Sequence, residues 1–513
     1  MRERILQLVQ ELVAIKSVSA SVNERQVEDY LYGVLEQIPY FVKHGTHFGQ
    51  IAIPQDPYGR RIVYALVKGH SNKTVVLLNH HDVVGVEPYG SVSDKAFDIE
   101  AIKAALLQTE LNSEIRKELE SGEWLAGRGS CDMKGGLAAQ LAYLEDYANN
   151  PNKGTLLFIS VPDEESFSAG MRRGVWFLNE AKKDWDLDYR LAINSEPNRR
   201  SEATQIVPVG SVGKVLLVTV VQGCSVHAEN YKEGINPLGV LASFIAATEG
   251  MDSLTEEYRG ERTIPPIWLQ ARDKKSNYDV SVPQRASGYC TLQAFSKTPQ
   301  EIMRSFKNLL VDTIQDFRVQ RKLECPIQVI DYSELVQLAT AIPGYQAWRA
   351  TKMQEQKKFI SEGWGSYPEL TIKYIEELLD FVGMKEVVVL GFAPPYYPPA
   401  NSNAMNKPSF AAICQELAQQ KKVKYEQYFL GISDCSYCGL TTPPLDKYYE
   451  KNTPLWGELY NFDVAAVARL QIPFMLLGPW GKDLHCKTER VNIKSLTEEL
   501  PKELALACSL AWR

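Results

Sequence analysis

Apolar positions along this chain follow two periods that alternate. Ile5, Leu8, Val9, Leu12 and Val13 recur at helical spacing, which predicts an amphipathic surface helix over residues 3–16, ended at Ser17-Val18-Ser19. A second helix is expected over 24–37. The period then shortens. Residues 61–67 and 74–78 are β-branched runs that read as strands. A helix from Gly136 to about 147, a strand over 155–161, a helix over 171–182 and a strand over 189–194 continue the alternation. Strands alternating with helices predict an α/β domain whose mostly parallel sheet is flanked by helices.

The pattern changes near 209. Strands over 214–221, 286–295 and 326–331 enclose helices over 237–249 and 299–320. This is material for a smaller α+β domain, a small sheet with helices on one face. The expected organisation is therefore a main domain in two parts, 1–208 and 333–513, interrupted by an inserted domain at 209–332. Within the second part, 333–390 is helical and charged, and a strand over 385–391 runs into Ala393-Pro394-Pro395-Tyr396-Tyr397-Pro398-Pro399, expected as a rigid loop. A helix over 408–420, an apolar strand over 473–478 and a closing helix over 498–510 follow. Residues 88–126 are polar and partly helical.

Composition narrows the function classes. At 513 residues the chain exceeds one ordinary core, and 45% hydrophobic with 23% charged residues argues against extensive disorder. A net charge of −7 argues against nucleic acid or an anionic membrane as the main partner. No apolar run approaches the roughly 18 residues of a membrane span, and the N-terminus is too charged for a secretory leader. Nine cysteines without framework spacing suggest reduced thiols and a cytoplasmic setting. Cys435-x-x-Cys438 has no second pair, so packing is the expected use of both.

Candidate chemistry gathers at predicted strand ends. The apolar run from Val75 ends in His80-His81-Asp82. On a strand, residues two apart share a face, so His80 and Asp82 point one way and His81 the other. The loop Gly127–Gly136 is rich in glycine, fits no nucleotide fingerprint and carries one acid, Asp132. The strand ending at Val161 leads into Asp163-Glu164-Glu165, which would equally serve as an acidic cap for the following helix. The strand ending at Asn194 leads to Glu196, and the one ending near 478 leads to His485, with Glu489 beyond it. In parallel α/β sheets ligands bind beyond the carboxyl ends of the strands. Two histidines and at least three carboxylates in one crevice would repel and desolvate badly unless a cation held them. The mixed donor set suits Zn²⁺, with Co²⁺ or Mn²⁺ as alternatives. Five ligands exceed the needs of one tetrahedral zinc, so two ions sharing a bridging carboxylate is the economical solution.

Taken in order, these segments resemble the dinuclear zinc peptidase/deacylase family of aminoacylase, acetylornithine deacetylase, succinyl-diaminopimelate desuccinylase and glutamate carboxypeptidase. The length and the Pro-Pro-Tyr-Tyr-Pro stretch resemble its longer branch, the RocB-type arginine-degradation proteins. The resemblance implies a zinc-exopeptidase-like catalytic domain with a lid/dimerisation domain inserted at 209–332, and a homodimer formed through that lid. It implies that His80 and Glu196 hold the first of two divalent metal ions, Glu165 and His485 the second, and Asp132 both. Asp82 would orient His80, and Glu164 would be the general base. Gly223-Cys224-Ser225-Val226-His227-Ala228 and Gly234-Ile235-Asn236-Pro237 resemble the family's lid motif, in which His227 would bond the oxyanion and Asn236 would lie on the substrate side. Leu430-Gly431-Ile432-Ser433-Asp434 resembles its substrate loop, through Ser433 and Asp434.

The chain departs from the family pattern in the lid. Asp279-Val280-Ser281-Val282-Pro283 lacks the usual Asn, and Leu292-Gln293-Ala294-Phe295 lacks the usual carboxylate-gripping Arg; Arg285 is nearby. The extra residues 441–465 are expected to reshape the substrate pocket. The implied activity is metal-dependent hydrolysis of an amide or peptide bond in a small peptide or N-acyl amino acid, in arginine catabolism. The alternative is a catalytically inactive binding or regulatory protein on the same fold. Glu164 argues against it, since a binding module needs no general base. A related dinuclear aminopeptidase would normally lack the lid.

Overall fold

A computed structural model describes all residues except 276, 324–325, 364 and 442–446. Two units emerge: Met1–Ser211 with Ala400–Thr441 and Asp463–Arg513, and Val212–Pro399 with Thr442–Phe462. Among the described residues, no helix is long and apolar enough to cross a membrane.

In the first unit a six-stranded sheet runs Phe48–Ala52, Arg61–Val67, Thr155–Val161, Lys73–His80, Asp188–Asn194, Phe474–Leu476 in spatial order. The last four strands are parallel, and the first two add to one edge in antiparallel sense. The parallel strands are apolar on both faces because helices cover both. The first helix, Arg2–Ala14, buries all five apolar positions read from its spacing. They share one core with the sheet and with the helices Glu24–Glu36, Lys134–Asn149 and Leu500–Ala511. Residues 88–126 build a small satellite core around Tyr89, Phe97, Ile102, Leu106 and Leu119.

In the second unit a five-stranded sheet runs Ile267–Asp273, Arg285–Ala294, Gly213–Gln222, Val387–Tyr397, Gln328–Asp331. Three expectations change here. The strand Val387–Tyr397 pairs antiparallel with Gly213–Gln222 from Gln222↔Val387 to Lys214↔Tyr397, and parallel with Gln328–Asp331. Residues 333–399 therefore belong with this unit rather than with the main domain, and the boundary at 332 is not where the units divide. The proline-rich stretch, expected as a loop, continues that strand through Pro394 and Pro395 to Tyr397. Pairing with Gln328–Asp331 stops at Leu390, so prolines without an N–H are tolerated beyond it. Finally, helices do not lie on one face only. Leu216, Val218 and Val220 pack with residues of Tyr332–Thr340 and Tyr367–Val382, while Pro237–Thr248 also contacts the same strand. The unbroken apolar run Val215–Val218 signals such two-sided burial. Of the extra segment 441–465, residues 442–446 lie outside the described residues, and Lys447–Lys451 is a helix.

Candidate metal centre

Lys73–His80 lies between Thr155–Val161 and Asp188–Asn194, parallel to both, so three carboxyl ends open on one side. His80 is the last residue of its strand and pairs with Val161. Glu164 and Glu165 follow Val161, and Glu196 follows Asn194. Asp132 stands just before the helix Lys134–Asn149, and His485 beyond the strand Phe474–Leu476.

These six side chains meet. His80 Nε2 lies 3.3 Å from Asp132 Oδ1 and 3.4 Å from Glu196 Oε1, with Glu164 Oε2 further off at 3.9 Å. His485 Nε2 lies 3.2 Å from Asp132 Oδ2 and 3.1 Å from Glu165 Oε2. Asp132 thus offers one oxygen to each histidine. His80, Asp132 and Glu196 form one candidate ligand set and Asp132, Glu165 and His485 another, with ligand atoms within 4.8 Å of one another in each. His80, Glu164 and Glu165 also meet that spacing, with Glu164 Oε2 farther from His80 Nε2 than the Asp132 and Glu196 oxygens are.

The donor chemistry fits a cation. Nδ1 of His80 lies 3.1 Å from the carbonyl oxygen of Asp82. A carbonyl only accepts, so in the neutral ring Nδ1 carries the proton and Nε2 turns a lone pair toward the acids. Among the described residues, His80 Nε2 and Glu196 Oε1 are buried without a hydrogen-bond partner. Lone pairs facing lone pairs is an arrangement that a metal ion resolves. The acids carry the same message. Burial pushes Glu196 up to about 8, opposed by His80 and reinforced by Asp132 and Glu165. Burial also raises Glu164 well above the usual carboxylate range. Hydrogen bonds to Asp132 and Glu165 push His485 up to about 10. Burial opposes ionisation of Asp132, yet the neighbouring His485 and His80 hold it below its ordinary range.

The supporting shell was only partly legible in the sequence. The Asp82 carboxylate accepts the backbone N–H of Glu164 and of Glu165, each at 3.1 Å, and the Ser19 hydroxyl at 2.6 Å. His81 lies away from the acids, with Nδ1 3.0 Å from Ser160 Oγ, and burial drives its pKa down to about 3. Unforeseen is the buried Arg60, which pairs with Glu24 at 2.8 Å, Asp56 at 2.7 Å and Asp163 at 2.6 Å. Glu24 in turn accepts the Asp163 N–H at 2.8 Å, fixing the loop that carries Glu164. Gln140 was also missed. Its amide nitrogen donates to the carbonyls of Leu78 and Ile193, tying together two strands that end at the site. The available signal was a lone glutamine in the apolar run Leu137–Leu144. At the same helix start, a Cβ on Gly136 would lie 2.0 Å from the Ser195 carbonyl oxygen, so only glycine permits this approach to the loop before Glu196.

The remaining named residues lie as follows. Ser433 is buried, its hydroxyl accepting from Asn194 Nδ2 at 3.1 Å and from the Cys435 N–H at 3.2 Å. Asp434 beside it is buried, and burial pushes it up to about 7 against hydrogen bonding from Ser168. His227 and Asn236 belong to the second unit. His227 is exposed, with Nδ1 accepting the Glu229 N–H at 3.3 Å. Asn236 caps the helix Pro237–Thr248 through the Leu238 N–H at 3.1 Å. Arg285 pairs with Asp380 and Gln222. The eight described cysteines are free, with Cys435 and Cys438 both buried.

Comparison with known proteins bears on the whole arrangement. A family model described as peptidase family M20/M25/M40 matches residues 107–500. The chain is 29% identical to the protein RocB of Bacillus subtilis (strain 168), covering 95% of this chain and 91% of that one. It is 30% identical to the uncharacterized protein YqjN of the same organism, covering 99% and 96%. The M20 family metallo-carboxypeptidase Sso-CP2 of Sulfolobus solfataricus shares the fold, with a TM-score of 0.54 at 12% identity over 99% of both chains.

Proposed function

Because this chain belongs to peptidase family M20/M25/M40, a family of metal-dependent hydrolases, we propose that it cleaves the amide or peptide bond of a small peptide or N-acyl amino acid at the cluster around Asp132. The observation that carries this reading is the placement of Asp132, one carboxylate oxygen toward His80 and the other toward His485. His80, Asp132 and Glu196 would hold one divalent ion, and Asp132, Glu165 and His485 a second. Zinc suits these donors, with cobalt or manganese as alternatives. When bound, such ions supply Lewis-acid polarisation of the scissile carbonyl and acidify the attacking water.

The protein groups do the rest. Glu164 sits beside both sets and takes the proton from the attacking water, then returns it to the leaving amine. The Asp82 carboxylate holds the Glu164-Glu165 main chain in place for this. His227 donates to the developing oxyanion. Asn236, Ser433 and Asp434 act on the substrate side, Ser433 by bracing the loop that carries Asp434. Arg285 is committed to Asp380, so it is not assigned to substrate. Finer readings follow the RocB likeness and the sequence: arginine catabolism, a cytoplasmic setting, and a homodimer formed through the second unit.

The test is a screen of N-acyl amino acids and dipeptides, arginine and ornithine derivatives included, on metal-reconstituted protein. Turnover of at least one compound, abolished by a chelator, is expected. No turnover of any, or turnover indifferent to chelation, contradicts the reading.

A further inference from the structure

Two buried charges beside the acids belong to neither ligand set. Arg128 lies four residues before Asp132 in the chain, and Glu489 four after His485. Their side chains are 1% and 0% exposed and pair through Arg128 Nη1 and Glu489 Oε2. The other oxygen, Glu489 Oε1, accepts the backbone N–H of Cys131 and of Asp132, each at 3.2 Å. The rest of the guanidinium reaches main chain as well: Nη2 donates to the His485 carbonyl oxygen at 3.1 Å, and Nε to that of Gly85 at 3.2 Å. One ion pair therefore grips Asp132 from one side and His485 from the other.

His485 needs such a grip. Its side chain is 51% exposed, so packing holds it weakly. Its backbone is left-handed, at φ 63°, as is that of Asp483 at φ 57°, a conformation that non-glycine residues keep only when surrounding contacts impose it. The other set is anchored differently. His80 is held by the Asp82 carbonyl, and the Glu196 N–H donates to Asn194 Oδ1 at 3.2 Å.

We propose that the Arg128–Glu489 pair is a positioning device for the ion set Asp132, Glu165 and His485, fixing the Asp132–His485 separation before an ion arrives. The proposal rests on the assignment of these residues as metal ligands. An ion pair that served only the core would affect folding and leave the two ions alike. A pair that sets this separation affects one ion more than the other.

The experiment uses the full chain with Arg128→Lys and with Glu489→Gln. Lysine keeps the charge but cannot present a planar fork to Glu489, His485 and Gly85 together. Glutamine keeps the shape without the charge. Zinc binding is measured by equilibrium dialysis with elemental analysis, alongside melting of the metal-free protein and steady-state kinetics. The parent is expected to bind two ions. Each variant should keep one at parental affinity and bind the other ~10–100-fold more weakly, with kcat lowered and KM little changed. Two ions bound as in the parent, or both weakened equally, overturns the proposal. So does loss of folding in both metal-free variants, which makes the pair a core element. A parent that binds no zinc instead overturns the ligand assignment itself.

Discussion

The carboxylate of Asp82 accepts the backbone N–H of Glu164 at 3.1 Å. The family resemblance implied that this side chain orients His80. In the structure the imidazole is nearer the Asp82 carbonyl oxygen, at 3.1 Å, than the carboxylate, at 3.5 Å. The residue divides its labour: its main chain holds the histidine, and its side chain holds the two glutamates. Asp82→Asn leaves one acceptor oxygen where two are used. It should lower kcat by about 10–100-fold, read in steady-state kinetics with zinc content measured in parallel. An unchanged kcat would sink this role.

Glu164 Oε2 stands 3.9 Å from His80 Nε2, farther than the Asp132 and Glu196 oxygens at 3.3 and 3.4 Å, which suits proton transfer better than ligation. Glu164→Gln should retain bound zinc and lose about 10²–10⁴-fold in kcat. If the variant instead loses metal in proportion to activity, Glu164 is a ligand and the base lies elsewhere.

Gly478 sets the backing of the Glu196 loop. A Cβ there would lie 2.0 Å from the Glu196 carbonyl oxygen and 2.6 Å from that of Ser195. Both neighbours are main chain, so the loop itself must move. Gly478→Ala should destabilise the fold by about 1–3 kcal/mol and weaken zinc binding, checked by urea unfolding and dialysis. A variant as stable as the parent would show that the loop yields freely.

Bound ions should stabilise the fold. At a free ion concentration a hundredfold above Kd the gain is about 2.7 kcal/mol. The histidines and carboxylates must give up their protons to bind, so the gain shrinks on acidification. Melting with and without zinc at pH 7.5 and pH 5.5 checks the sign; a metal-induced shift that grows at the lower pH contradicts it.

Much of this was legible in the sequence because the site is built on a parallel sheet. Each short apolar run announced a strand, and the residue types just past its end announced the crevice. His80, the acidic run Asp163-Glu164-Glu165 and Glu196 were thus marked by local pattern, with their separate roles implied only by the family resemblance, and the first helix was marked by five apolar positions that all prove buried. Features made by distant partners were hidden. The Arg60–Glu24 and Arg128–Glu489 pairs span 36 and 361 positions, and no spacing rule links their members. The proline run 394–399 looked like a loop because its pairing with Gly213–Gln222 is equally non-local. The same pairing draws 333–399 into the second unit and shifts the expected boundary.

The central claim is that one carboxylate, Asp132, serves two ions. Zinc stoichiometry of the parent and of Asp132→Ala, measured by elemental analysis after reconstitution, tests it most directly. Two ions per parent chain, with loss of bound zinc in the variant, is the predicted result. A parent that binds one ion, or a variant that keeps two, would contradict it.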